Sequence, residues 1–133
     1  MPDQSVEVTF DPNADPQFTF MPATVTMTRA GRIVLHRRPQ SAPWTFVSAR
    51  VDDGTSAQFS AAPNPNGNQL IIRDAFTDEW KRYHKYTITV EFEWGTYSRT
   101  YESPDPVIVN DPGSRDVAIA PVKGGERKGG RNK

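Results

Sequence analysis

The sequence predicts an all-β fold, a two-sheet antiparallel β-sandwich, and three observations lead to that prediction. Apolar and polar side chains alternate over most of residues 5–109, which is the pattern of half-buried strands. Twelve prolines and nine glycines interrupt the chain too often for long helices. The 133 residues suit one domain, and about eight short strands in such a length are typical of a sandwich.

The period-two alternation locates the individual strands. It is clearest from Tyr86 to Trp94, where every second residue is apolar and those between are Thr or Glu. This pattern predicts that Trp94 lies in the core, while Tyr97 on the following strand is partly exposed. In chain order, the predicted strands lie near residues 6–10, 24–28, 32–37, 44–51, 70–72, 86–94, 97–102 and 107–109.

Turn residues connect these strands. Ala30-Gly31 predicts a hairpin between the strands on either side of it, and Gly95 predicts another. Residues 64–67, Asn-Pro-Asn-Gly, form a further turn, because Asn and Gly tolerate positive φ. Thr77 followed by two acidic residues predicts a single capped helical turn that joins the two sheets.

The segment from Asp78 to Trp94 resembles the corner and following strand of an immunoglobulin-like or cupredoxin-like β-sandwich. In immunoglobulin relatives a tyrosine near the start of this strand hydrogen-bonds back into the corner. The resemblance implies that role for Tyr86. Ile88 stands where that family has its second cysteine, and the chain has no cysteine. The resemblance therefore comes without the disulfide and without a copper site that needs a thiolate.

Asp-Pro dipeptides recur at residues 11–12, 105–106 and 111–112, the last two flanking Val107-Ile108-Val109-Asn110. On these residues the chain resembles the small bacterial proteins of the DP-EP family. The Glu-Pro dipeptide of that name does not occur in this sequence. The resemblance spans most of residues 5–112 and implies a bacterial protein without a defined activity.

Charge divides the chain into two parts. Residues 123–133 form a Gly/Lys/Arg tail of net charge +4, which we expect to be disordered, and residues 1–122 form the sandwich domain with net charge −4. An acidic body makes nucleic acid an unlikely partner, with weak non-specific contact through the tail as an alternative. No signal peptide or membrane-length apolar run is seen, so we expect a cytoplasmic protein with no membrane partner.

The sequence contains no recognisable catalytic constellation. There is no cysteine and no G-x-S-x-G motif, and the paired glycines of the tail lack the strand and helix of a phosphate loop. Both histidines, His36 and His84, lie in basic runs and are predicted to be on the surface. A catalytic metal usually takes three protein ligands. We therefore expect no enzymatic activity and no cofactor.

Carboxylates near the predicted loops support one alternative function. Two aspartates and an asparagine spaced by two resemble the start of a calcium loop, but prolines stand where an EF-hand needs Gly and Glu. Such loops meet at the ends of a sandwich, which leaves a calcium-like site or a metal-dependent enzyme as the alternative. The candidate ligands are Asp11, Asn13, Asp15, Asp105 and Asp111.

The leading functional prediction is a non-enzymatic binding or structural module. Its expected partner is another protein or a second copy of itself in a homo-oligomer, because sandwiches present sheet edges and end-loops. The sequence defines neither the edge nor any small-molecule ligand. The candidate contact residues are aromatic: Trp80, Tyr83, Trp94, Tyr97 and Tyr101.

Overall fold

In a computed structural model, which describes residues 3–51 and 58–113, these residues form ten β-strands and no α-helix. The strands are β1 (Gln4–Phe10), β2 (Phe18–Met21), β3 (Thr24–Met27), β4 (Gly31–Arg37), β5 (Trp44–Val51), β6 (Phe59–Pro63), β7 (Gln69–Asp74), β8 (Arg82–Trp94), β9 (Tyr97–Glu102) and β10 (Val107–Asn110).

The strands form two sheets, which confirms the predicted two-sheet β-sandwich. The first sheet has the order β2-β1-β4-β7-β6, and the second has β3-β10-β8-β5, with β9 also paired to β8. The sheets are not purely antiparallel as predicted, because β1 pairs with β4 in parallel and β10 pairs with β3 in parallel. Each sheet is therefore mixed.

The predicted hairpin at Ala30-Gly31 is wrong. The strands on either side of it belong to different sheets, since β3 pairs with β10 and β4 pairs with β1 and β7. The reason lies in burial: Met27 and Ile33 are both buried, and they reach the same core from opposite sheets. The chain thus crosses the edge of the sandwich here, which allows the parallel pairings.

The other two predicted turns are confirmed. Gly95, with φ of 64°, opens a two-residue turn in which Trp94 pairs with Tyr97. Residues 64–67 connect the antiparallel strands β6 and β7. Both turns end in tight antiparallel pairing, as expected where glycine supplies a positive φ.

The core is apolar and draws on both sheets. Each inward side chain that is fully buried contributes roughly 1.5–3 kcal/mol relative to exposure. Among the largest side chains with almost no exposed surface are Trp44, Tyr86, Met27, Ile33, Leu35, Leu70, Ile72, Ile88 and Ile108.

Some predictions fall on residues outside those that the structure describes. The basic tail at 123–133 and the domain boundary at residue 122 are among them. Over residues 3–51 and 58–113 the chain contains no helix with the length and hydropathy needed to cross a membrane.

Candidate functional site: an overhanging aromatic hairpin

The two faces of the β8–β9 hairpin differ in polarity. Cross-strand pairing places Phe92 opposite Arg99 and Val90 opposite Tyr101, so these side chains share one face. The outer face is polar, and Ser98 Oγ donates a hydrogen bond to the Glu91 carboxylate there. The inner-face residues near the tip are Phe92, Trp94, Tyr97, Arg99 and Tyr101, and those of the outer face are Glu91, Glu93, Ser98, Thr100 and Glu102.

The prediction that Trp94 belongs to the core is wrong, although its side chain is on the inner face. Trp94 is 76% exposed, and its partner Tyr97 is 71% exposed. The cause is the length of the opposing strand. The ring of Phe10 lies 6.0 Å from Phe92 and 4.9 Å from Tyr101, but Phe10 is the last residue of β1. The hairpin therefore extends past the sheet that would cover it.

A groove runs between this overhanging inner face and the loop that follows β1. It has a volume of about 380 Å³, with Pro12 and Asn13 on the loop side. The Arg99 guanidinium lies 5.6 Å from the centre of the Tyr101 ring, a cation–π arrangement that holds both groups in place. We call this feature the hairpin groove; it is lined by Pro12, Asn13, Phe92, Trp94, Tyr97, Ser98, Arg99 and Tyr101.

The structure separates the five aromatic candidates into two groups. Trp94, Tyr97 and Tyr101 lie together in the hairpin groove. Trp80 and Tyr83 are also exposed, at 66% and 64%. Tyr83 lies near the other end of the thirteen-residue strand β8, roughly 35 Å from Trp94, and Trp80 precedes that end of the strand. Trp80 therefore belongs to a different surface and offers a matched control for Trp94.

Three of the four aspartates predicted as metal ligands accept hydrogen bonds from nearby residues of the chain. Asp11 Oδ1 accepts one from the backbone N–H of Asn13 at 2.9 Å, and Asp111 Oδ1 accepts one from Gly113 at 2.9 Å. Asp105 Oδ1 accepts one from the Thr87 hydroxyl at 3.2 Å. In the part of the chain that the structure describes, no three His, Asp or Glu side chains are grouped to hold a metal ion. Calcium binding stays a prediction without a site.

A buried polar network, which the sequence did not predict, closes one end of the sandwich. The prediction that His84 is a surface residue is wrong, since it is only 1% exposed. Its Nε2 donates to Asp78 Oδ2 at 2.7 Å, and its ring packs edge-on against Phe59. His36, by contrast, is half-buried. The sequence did contain a signal of this burial, because His84 lies an even number of residues from the inward-facing Tyr86 and Ile88 on the same strand.

Asn110 is the centre of this network and has no exposed surface. Its amide nitrogen lies 3.0 Å from Asp78 Oδ2, and 3.2 Å from both Asp74 Oδ1 and Gln58 Oε1. Asp74 belongs to one sheet and Asn110 to the other, so the network links the two sheets. Asp74 and Asn110 are the last residues of β7 and β10, and the alternation of each strand places them on its inward face.

The network replaces the helical turn predicted at Thr77. The backbone N–H of Thr77 donates to Gln58 Oε1 at 2.8 Å, and that of Phe76 donates to Asp74 Oδ1 at 2.9 Å. Phe76 adopts a positive φ of 59°, which a helix does not permit. The loop backbone therefore satisfies its donors with buried side chains, and Asp78 points toward His84 rather than capping a helix.

The two carboxyls of the network differ in their electrostatics. Burial raises the pKa of Asp74, and hydrogen bonds from Phe76 and Asn110 offset only part of this. Burial acts in the same direction on Asp78, but hydrogen bonds from His84, Asn110 and Gln58 outweigh it and lower the pKa of Asp78. Asp74 Oδ2 is buried with no hydrogen-bond partner among the described residues. Ionised Asp78 thus stabilises the fold, and ionised Asp74 opposes it.

Isosteric amides distinguish these two roles. We expect Asp78→Asn to lower the free energy of unfolding at pH 7 by about 2 kcal/mol, because charge-assisted hydrogen bonds are lost. Asp74→Asn should cost less than about 0.5 kcal/mol or be stabilising, because it removes a poorly solvated charge. Urea unfolding measures both, and equal losses in the two variants would contradict this assignment.

The contributions of Asp78 and Asp74 to stability should change with pH in opposite directions. The contribution of Asp78 is present above its unfolded pKa and is lost as pH falls through its lower folded pKa. The penalty from Asp74 is present at neutral pH and is relieved as pH falls through its raised folded pKa. Below the unfolded pKa of Asp78, the stability of Asp78→Asn should therefore approach that of the wild type, and unfolding curves collected from pH 7 down to pH 3 should show the difference narrowing.

The buried His84–Asp78 pair is closed to substrates, because His84 is 1% and the Asp78 side chain 8% exposed. We therefore place the candidate functional site at the hairpin groove rather than at this network.

The corner role implied for Tyr86 is not observed, since its hydroxyl has no partner among the described residues. The Tyr86 ring packs edge-on against Phe20 in the core.

A scan against protein-family models and a search of the curated proteins each gave no match to this chain. The resemblance to the DP-EP family therefore stays a prediction.

Proposed function

We propose that this protein is a non-enzymatic binding module whose hairpin groove holds an extended segment of another protein. The observation that carries the proposal is the exposure of Trp94 and Tyr97 on the inward face of the hairpin. A side chain on that face would ordinarily be covered by the opposing sheet. An apolar side chain from a partner would take the place of the missing sheet and pack against both rings.

The composition of the groove supports this function. Trp, Tyr and Arg are the residues in which binding energy concentrates at protein interfaces. The aromatic rings of Trp94 and Tyr97 bury large areas at little entropic cost, because each has only two side-chain torsions. Arg99 and Asn13 supply hydrogen-bond donors at the margin of the groove. The groove thus combines an apolar floor with polar groups that orient a bound segment.

A peptide selection tests this function. Peptides displayed on phage are selected on the wild-type protein, and the affinity of the enriched peptides is measured by calorimetry. We expect enrichment of peptides with one large apolar residue, and a loss of affinity of at least about tenfold in Trp94→Ser, as for a hot-spot residue. Trp80→Ser removes another largely exposed tryptophan, two residues before β8 begins, and should bind as the wild type does.

Two outcomes would overturn the proposal. One is a selection that enriches no peptide. The other is a set of peptides whose affinity falls with Trp80→Ser and not with Trp94→Ser. Circular dichroism of both variants ensures that the comparison is between folded proteins, and little loss is expected because both side chains are mostly exposed.

A further inference from the structure

The outer edge of β9 carries a second inference, separate from the groove. Along the described residues β9 pairs with β8 on one side, and no strand pairs with its other side. We propose that this edge binds the same edge of a second copy of the chain, in antiparallel register centred on Thr100. The result is a symmetric dimer in which the sheet of one copy continues into the other.

The direction of the backbone groups follows from the hairpin. In a two-residue turn the flanking pair, Trp94 and Tyr97, is hydrogen-bonded, and bonded pairs then alternate along the strands. Two observed hydrogen bonds agree with this alternation of bonded and non-bonded pairs. Ser103 N–H donates to Ile88 O on β8, and Glu93 N–H donates away from β9 to Pro43 O. The backbone N–H and C=O groups of Ser98, Thr100 and Glu102 therefore point to the open edge.

The other sheet edges are less suited to pairing. Both β2 and β3 are only four residues long. A register shift between Phe46 and Ser48 interrupts β5, and β6 ends in Pro63. Such bulges, prolines and short lengths are the features that protect edges. With six residues, no proline and no register shift, β9 is the open edge without these features among the strands that the structure describes.

Side-chain complementarity selects the register. With Thr100 opposite Thr100, each Arg99 lies opposite Tyr101 of the second copy, and each Ser98 lies opposite Glu102. Arg–aromatic pairs attract across strands, and Ser98 opposite Glu102 brings no like charges together. A shift of two residues one way places Arg99 opposite Arg99, which is repulsive. A shift the other way brings the buried Ser103 and the following Pro104 into the pairing, beyond the end of β9.

Single cysteines test both the dimer and its register, because the chain has no cysteine of its own. In the proposed dimer the two Thr100 Cα atoms form a hydrogen-bonded pair about 5.5 Å apart, within the range of a disulfide. Thr100→Cys should therefore give a disulfide-linked dimer on mild oxidation. Ser98→Cys is the matched control, because the two residues 98 lie four positions apart along the strand, about 13 Å, and should not cross-link.

Sedimentation of the full chain tests the association itself. We expect a concentration-dependent dimer in the wild type and in Thr100→Val. Thr100→Pro removes an outward N–H that takes no part in the pairing with β8, and should raise the dissociation constant at least about tenfold. A wild type that is monomeric at millimolar concentration would refute the proposal, and so would a dimer that Thr100→Pro leaves intact.

The cross-linking result also separates this inference from the proposed function. Trp94→Ser should lose peptide binding in the groove and keep the Thr100→Cys cross-link, since Trp94 is not on the open edge. If Thr100→Pro fails to fold, the comparison of Thr100→Cys with Ser98→Cys still tests the dimer. Cross-linking of Ser98→Cys in place of Thr100→Cys would contradict the register, and cross-linking of neither would contradict the dimer.

Discussion

Replacing Asn110 by aspartate should lower the free energy of unfolding at pH 7 by about 3–5 kcal/mol. The substitution hardly changes shape. It removes the amide that lies 3.0 Å from Asp78 and 3.2 Å from Asp74, and places a third carboxyl between them. Full burial leaves little water to screen the charge.

The pH dependence identifies the cause of that loss. In Asn110→Asp one of the three carboxyls takes up a proton, so its pKa in the folded state lies above that in the unfolded state. The folded state then binds more protons, and stability falls as pH rises. Urea unfolding should therefore show a smaller loss at pH 5 than at pH 8. A loss that is independent of pH would contradict the network as described.

Asn66→Asp is the control for the same chemistry. Asn66 is exposed in the turn between β6 and β7. The same exchange there should change stability by less than about 0.5 kcal/mol. A comparable loss at Asn66 would mean that the effect at Asn110 does not come from its buried neighbours.

Gly67→Ala should also be strongly destabilising, with a loss of about 3 kcal/mol. Gly67 has φ of 73°, which costs a residue with a Cβ roughly 1–2 kcal/mol. A Cβ would also lie 2.6 Å from Thr45 Cβ and 2.8 Å from its Cγ2, so the backbone must shift. That shift disturbs the hydrogen bond from Phe46 N–H to Gly67 O, which links β5 to this turn.

Gly95→Ala separates the backbone cost from the clash. Gly95 has a similar φ of 64°, but a Cβ there has nothing within 4 Å. We expect a loss of about 1 kcal/mol, from the conformation alone. Thermal unfolding of the two variants compares them directly. Equal losses would show that the contact with Thr45 contributes nothing.

The strands could be predicted because alternation directly reports one buried face. Val6, Val8 and Phe10 reach the core as their spacing predicts. The partners of the strands could not be predicted in the same way. A short turn such as Ala30-Gly31 suits both a hairpin and a crossing between sheets, and only the packing of distant strands decides between them. The parallel pairings were missed for the same reason.

The site was predicted in part. Alternation placed Trp94 on the inward face correctly, but it carries no information about where the opposing sheet ends, so its exposure was missed. The basic neighbours of His84 suggested a surface position, yet its parity with Tyr86 put it inside. The buried contact between Asn110 and Asp74 could not be predicted, because a polar residue at the end of a strand is ordinary until several of them meet.

Amide hydrogen exchange along β9 decides whether its outer edge is open, because it reports the protection of each backbone N–H separately. In dilute protein, the amides of Arg99 and Tyr101 should be protected by β8, and that of Thr100 should exchange rapidly. In concentrated protein, Thr100 should become protected. Protection of Thr100 at every concentration, or at none, would contradict the open edge that pairs with a second copy.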